Sequence, residues 1–505
     1  MRRTFQDKMF KPLMAAIAIT LVIISGFAQR KLNQDREALE LTRTTVLENA
    51  PPVLAFTTVA LGGFRGLIAN ALWIRMTELQ EDGKYFEMFQ LSDWITKLQP
   101  TFTSVWVHQA WNMSYNISIK FTDPRERWTW VKRGIELLRD DGLRYNPGEP
   151  LMYRELAWHF QHKLGHYLDD AHNEYKRYWA EEFWPIVGAD GRPNYQALLN
   201  PQTQEQKEAA RLLKEKFKMD AAVMQEVDAE YGPLEWRLPE THAIYWGYYG
   251  LRKTEQNRLK REDIMQLRRT IFQSMQLAFH RGRLVFPSPQ SKDFTYGPNL
   301  EIVRKVNESY LDMMAKEPER AETIRTSHRN FLKTAVYFFY THNRLKAAEE
   351  WFAYVKQQYP QMAEVKMDLD TYAFSRINED IGETDPNRVK SVLEGLLETS
   401  IMEFAMGQDE TMLGYENLAR KLWTRYTSQL VGTSQKRVAM DPLPKIRDQV
   451  LERMLNPEYG LNPVLLAQLR QRLNLPPATN APPAAAPVPA NAGAGLTNAP
   501  AAAAR

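Results

Sequence analysis

From residue 50 to residue 475 apolar side chains recur at the spacing of one helical face, with few alternating runs. That periodicity confines the chain to packed helices. The clearest unit lies late. Leu332, Ala335, Val336 and Phe339 fall at i, i+3, i+4 and i+7. After Thr341-His342-Asn343 a second stripe, Leu345, Ala348, Phe352 and Val355, runs until Pro360 stops it. Three earlier stretches repeat the design. Phe64, Leu67, Ile68 and Ala71 precede Met88, Leu91, Ile95 and Leu98, closed by Pro100. Trp106, Ala110, Met113 and Ile117 precede Trp128, Val131, Ile135 and Leu138, with Pro147 beyond. Tyr153, Leu156, Ala157 and Phe160 precede Leu168, Ala171, Tyr175 and Tyr178. One such stripe is common to any amphipathic helix. Four stripes, each behind a partner helix and mostly followed by proline, predict a helical-hairpin repeat.

The late pair resembles a tetratricopeptide repeat. Leu332, Ala335, Val336, Phe339, Ala348, Phe352, Val355 and Pro360 fall in that register without a gap. The third pair fits after a two-residue insertion, and the first two fit loosely. The resemblance implies an all-α fold, an α-α superhelix of stacked hairpins, in which the first helix of each pair lines a concave groove. Carried over, that register puts Arg154, Trp158, Gln161 and His162 on the groove of the third pair, and Lys333, Tyr337, Tyr340 and Thr341 on the late one, as partner contacts. A narrower likeness joins Gly62–Trp73 with Asp93–Pro100. Together they are similar to bacterial proteins that bear an N-terminal anchor and divergent repeats, a group that transfers no catalytic residue.

Pro12 to Ala28 is a run of 17 uncharged, mostly apolar residues behind Arg2, Arg3, Lys8 and Lys11. As helix it spans about 25 Å, near the lower limit for crossing a bilayer. We expect a single-pass signal anchor at 12–28; the other readings are a cleavable signal peptide ending near Gly26 and Ala28, or a buried soluble helix. The short basic tail predicts a cytoplasmic N-terminus and an extracytoplasmic body on the bacterial cytoplasmic membrane. Val53 to Ile74 is also apolar, but a central Arg65 costs about 2.5–3.5 kcal/mol on insertion scales. We therefore expect a helix buried or resting near the membrane surface there, not a second crossing.

Charge argues against nucleic acid. Residues 1–50 hold 8 basic and 5 acidic groups, the last 30 residues only Arg505, and the body between is neutral although the chain totals +4. With no cysteine, disulfides, thiolate metal sites and a cysteine nucleophile are excluded. No GxSxG, Walker A loop or GxGxxG after a strand occurs, so we expect a binding protein without enzymatic activity or cofactor.

Four of the nine histidines crowd into His159–His172. His159, His162 and His166 can share a helical face, the set a metal-dependent hydrolase would use, yet His162-Lys-Leu-Gly-His166 lacks the glutamate of a zinc hydrolase. Nine of 13 tryptophans lie between Trp73 and Trp184, either as packing between hairpins or as a face for a glycan, small molecule or partner. His108, Asn112, Asn116 and Lys120 form a polar ladder, and Tyr231–His242 reads as a packed connector or a recognition loop.

The resulting organisation is a basic tail (1–11), the anchor (12–28), a linker (29–50), an N-terminal array (51–185), an irregular helical continuation (186–300), a C-terminal array (301–475) and a disordered Ala/Pro tail (476–505). The expected function is a membrane-anchored scaffold for other membrane or exported proteins in the cell envelope, of unknown oligomeric state. Transport and envelope assembly are the settings considered.

Overall fold

The computed structural model describes residues 2–38, 64–188, 190–254, 260–286, 294–378, 386–429, 440–456 and 461–477. Residues 39–50 of the expected linker, most of the Ala/Pro tail and Val53–Gly63 lie outside them, while residues 29–38, expected as linker, continue the first helix. The described residues form helices joined by turns and loops, with one two-stranded antiparallel ribbon, β1 (Arg283–Val285) with β2 (Thr295–Gly297). The all-α expectation holds. Contacts divide the chain into two compact units, Met1–Gln99 and Pro100–Arg505.

The first unit holds α1 (Arg2–Ala38), α2 (Phe64–Glu81) and α3 (Tyr85–Leu98). Pro12–Ala28 is continuous helix within α1, and Ile17, Leu21, Val22, Ile24 and Phe27 are all exposed. Among the described residues no helix is both long and apolar enough to cross a membrane. In α2 the expected inner face is corrected. Phe64, Leu67 and Ile68 are exposed, whereas Ala69, Met76 and Leu79 are buried. Those three sit at i, i+7 and i+10, a second apolar stripe that faces α3, where Met88 and Ile95 are buried. An apolar helix with two stripes does not announce which one packs.

The second unit opens with α4 (Thr103–Trp111), α5 (Pro124–Glu136) and α6 (Pro150–Trp158). Each runs on into one π-helical turn, at Asn112–Ile117, Leu137–Gly142 and His159–Leu164. Asp123 caps α5, its carboxylate accepting the Arg125 N–H, with proline in the first turn. All eight residues of the second expected pair, Trp106 to Ile117 and Trp128 to Leu138, are buried. A side chain on Gly134 would stand 2.8 Å from the Ala110 carbonyl, so glycine is what lets α5 close on α4.

Beyond lie α7 (His172–Val187), the shorter α8 (Tyr195–Leu199), α9 (Gln204–Glu215) and α10 (Ala221–Tyr231), then α11 (Pro239–Thr254) and α12 (Arg261–Arg281). The third expected pair is corrected here. Leu168 lies outside any helix and is exposed, and α6 packs chiefly against α11 and α12, skipping α7–α10. Phe160, in the π turn that follows α6, bridges α7 and α11: its ring meets Trp179 of α7 at 4.9 Å and His242 of α11 at 5.2 Å. Tyr231–His242 is a packed connector, with Trp236, Arg237 and His242 all buried.

From α11 onward neighbours stack in chain order through α13 (Val303–Lys316), α14 (Ala321–Thr341) and α15 (Leu345–Gln358). In the late pair Leu332, Ala335, Val336, Phe339, Ala348, Phe352 and Val355 are buried as the stripes predict, while Leu345 is exposed. The chain closes with α16 (Leu369–Asn378), α17 (Pro386–Ala405), α18 (Asp409–Gln429), α19 (Leu443–Leu455) and α20 (Pro463–Arg472). α18, α19 and α20 all pack on α17.

Candidate functional site

Two of the π turns meet at one place. A π turn holds one more residue per hydrogen-bonded ring than the α-helix, which redirects side chains and recurs at functional positions. The turn after α4 presents Tyr115, and the turn after α6 presents His159, His162 and Lys163. The Tyr115 hydroxyl lies 3.0 Å from His162 Nδ1, and the Lys163 ammonium lies 4.9 Å from the centre of the Tyr115 ring. Burial, reinforced by the Glu155 and Asp169 charges, pushes the Tyr115 phenol up, so the contact with Nδ1 is made by a protonated hydroxyl. Burial, then the neighbouring His166 and Lys163 charges, lowers His162 and favours the neutral ring.

Beneath this contact lies a buried ion cluster. Asp169 Oδ2 accepts Lys163 Nζ at 2.5 Å, and Oδ1 accepts Arg127 Nη2 at 2.6 Å and the Ala171 N–H at 2.9 Å. Arg127 also donates through Nε to the Tyr175 hydroxyl at 3.1 Å and pairs with Asp170 at 2.8 Å. Burial alone would raise the Asp169 carboxyl; the Lys163 hydrogen bond and charge, the Ala171 N–H and Arg127 overcome it and hold it below the usual range. Burial lowers Lys163 against the pull of the same carboxylate. The cluster fastens the turn 165–171 to the ends of α5 and α6. On that turn Tyr167 and Leu168 are 71% and 67% exposed. Large apolar side chains so placed cost solvation in the free chain and are held there by buried charge, an arrangement suited to contact with another surface.

The Trp158 indole stacks on the His162 imidazole at 4.5 Å and 11°, separating two open depressions. One, about 460 Å³, is lined by Tyr115, Ile119, His162 and Leu168 above the ion cluster. The other, about 310 Å³, lies between α6 and α12 and is lined by Arg154, Trp158, Arg269 and Gln273. Their walls alternate aromatic faces with charged groups.

The expected contact residues divide. Trp158 and His162 reach this surface, and Arg154 stands at its edge in ion pairs with Glu155 at 2.5 Å and Asp263 at 3.1 Å. Gln161 is buried, its amide donating to the Thr270 carbonyl at 3.0 Å and the Ser274 hydroxyl at 2.9 Å, so it ties the turn after α6 to α12. On the late pair the chain's own later helices take up the face. Lys333 pairs with Glu364 at 2.8 Å; Tyr340 is buried and donates to Asp370 of α16 at 2.6 Å while accepting from Lys421 of α18 at 2.8 Å. Tyr337 is half-buried. Thr341 is buried, and a side chain on Gly414 of α18 would come within 1.9 Å of its carbonyl oxygen.

The histidines do not converge on a point. His159 is buried with Nδ1 donating to the Glu155 carbonyl at 2.7 Å. His162 and His166 stack face to face at 5.5 Å, which turns ring faces and not lone pairs toward each other. Among the described residues no group of three His, Asp or Glu is placed to hold a metal ion. In the polar ladder Asn112 is buried and accepts from Asn116 at 3.1 Å. Tyr115, Arg127 and Lys163 were not singled out from sequence. Tyr115 and Arg127 lie well before Lys163 in the chain, and the packing of the helices brings them together with it. No family model, curated protein or solved structure matches this chain.

Proposed function

We propose that this protein is a membrane-anchored helical scaffold of tetratricopeptide-like design that binds a segment of another membrane or exported protein in the bacterial envelope. The observation that carries this reading is the turn bearing Tyr167 and Leu168, two exposed apolar side chains pinned by the buried Arg127–Asp169–Lys163 cluster beside the Trp158–His162 stack. A partner segment would seat an apolar side chain between Ile119 and Leu168 and pass polar backbone along the charged walls.

The anchor belongs to the same proposal. The side chains of α1 that would meet lipid are exposed around the helix, and the Thr20 hydroxyl donates to the Ala16 carbonyl at 2.8 Å, so it offers lipid no free donor. With 17 uncharged residues the run is short for a bilayer, and flanking lysine and arginine stems reaching toward the headgroups would complete it.

The test is photo-crosslinking in native membranes from position 168, with position 346 as a distant control. One defined partner captured at 168, lost on Trp158→Ala and absent at 346, supports the reading. Equal capture at both positions ends it. Extraction at high pH tests the anchor: the protein should stay with the membrane and be released by Leu21→Arg with Ile24→Arg. Protection of the body from protease in spheroplasts would reverse the assigned orientation.

A further inference from the structure

A separate cavity of about 540 Å³ opens where β1, the end of α14 and the start of α18 meet. Its walls carry Arg237, Arg283, Phe286, His342, Arg344 and Gln408. Most charges there are already matched. Arg237 is buried in a pair with Glu235 at 2.7 Å and lies over the rings of Trp184 and Phe286, so it is wall and not an available cation. Arg192 pairs with Glu301 at 3.1 Å, Asp409 with Arg472 at 2.8 Å, and Arg344 more loosely with Glu410 at 3.5 Å.

Arg283 differs. Its Nη2 donates to the neutral Gln408 Oε1 at 2.8 Å, its Nε is buried without an acceptor, and it forms no ion pair among the described residues. Glu403, Glu301 and Glu410 act on it only at a distance, and Arg344 repels it. A partly buried guanidinium with an unused N–H is costly unless something anionic completes it. Burial accordingly lowers its pKa, and it keeps His342 on the neutral side, where burial, partly offset by the Phe338 carbonyl, has already brought that ring down to about 4.

We infer that this cavity binds a carboxylate, with Arg283 as the group that recognises it. The acids around the opening decide between anions. Glu301, Asp409 and Glu410 are balanced by Arg192, Arg472 and Arg344, and Asp190 adds a further negative charge, so the one cavity guanidinium without an ion pair among the described residues matches a single planar carboxylate and not a multiply charged phosphate. The cavity volume lies within the range of ligand sites. A free organic acid and the C-terminal carboxylate of a peptide share this chemistry. The inference stands independently of the Trp158 surface.

The experiment is thermal denaturation and calorimetric titration of the full-length protein with acetate, succinate, a short peptide with a free C-terminus, and the same peptide amidated, at matched ionic strength. Saturable stabilisation by at least one carboxylate, with none from the amidated peptide, is expected. Saturation by acetate or succinate identifies a free acid; saturation by the free peptide alone identifies a chain terminus. Arg283→Met should abolish binding, and Arg283→Lys, which keeps the charge and loses the fork, should weaken it about tenfold. If Arg283→Met does not fold, Arg283→Lys decides. No saturable carboxylate binding, inorganic phosphate binding as tightly as carboxylate, or undiminished binding by Arg283→Lys would overturn the assignment.

Discussion

Arg127 and Asp169 meet at 2.6 Å with side chains only 9% and 7% exposed, although 42 residues separate them in the chain. The same carboxylate neutralises Lys163 at 2.5 Å. One buried anion therefore balances two cations, with Asp170 helping Arg127 from the solvent side.

Removing that anion should be severe. Asp169→Asn leaves two buried cations short of a partner, and a loss of about 3–5 kcal/mol in denaturant unfolding is expected. Asp170→Asn, whose side chain is 83% exposed, should cost less than about 1 kcal/mol. Similar costs for the two would show that the cluster does not hold the turn.

Stability should fall in acid, in two stages. Burial lowers His328 to about 4, where Nδ1 meets the Tyr359 hydroxyl and Nε2 the Asn307 amide oxygen, each at 2.7 Å. Between the unfolded value near 6.5 and about 4 the unfolded chain binds more protons, so stability drops as pH falls through that window. Below about 4 the depressed Asp169 carboxyl adds a second loss, since its stabilisation persists only while it stays ionised. His328→Gln should flatten the first stage by up to about 1.4 kcal/mol per pH unit. An unchanged slope in a pH series of urea melts would remove His328 as a source.

Gln161 and Trp158, three residues apart, should separate structure from recognition. Gln161→Ala removes both hydrogen bonds that hold the turn after α6 to α12 and leaves the buried Ser274 hydroxyl short of one, for a loss of about 1–3 kcal/mol. Trp158→Ala should cost less stability while losing partner capture. Equal destabilisation would mean that the Trp158–His162 stack is chiefly packing.

Gly414→Ala should push α18 away from the end of α14, because the new methyl would meet backbone and not a movable side chain. A loss of about 1–3 kcal/mol is expected. A neutral result in thermal melts would mean that the helices separate without cost.

Helical class and much of the core were readable from periodicity. Val131, Ile135 and Leu138, or Leu332, Ala335 and Val336, fall on one face whatever packs against them, because 3.6 residues per turn is a property of the backbone. The partner of each face was not readable. The stripe of α6 is as compatible with α7 as with α11, and only the packed structure sets it against α11 and α12. In α2 two stripes compete, and packing with α3 selects Ala69, Met76 and Leu79 over Phe64 and Leu67.

The site follows the same division. Trp158 and His162 are four residues apart and share a helical face by local geometry alone, so their pairing is written into the chain. Arg127, Tyr115 and Asp169 come from three separated segments, and their meeting depends on how α4, α5 and α6 pack, including a Gly134 contact too close for any other residue. Local order is set by the backbone's own repeat. Long-range order is set by shape and charge matching between surfaces, which exists only once those surfaces touch.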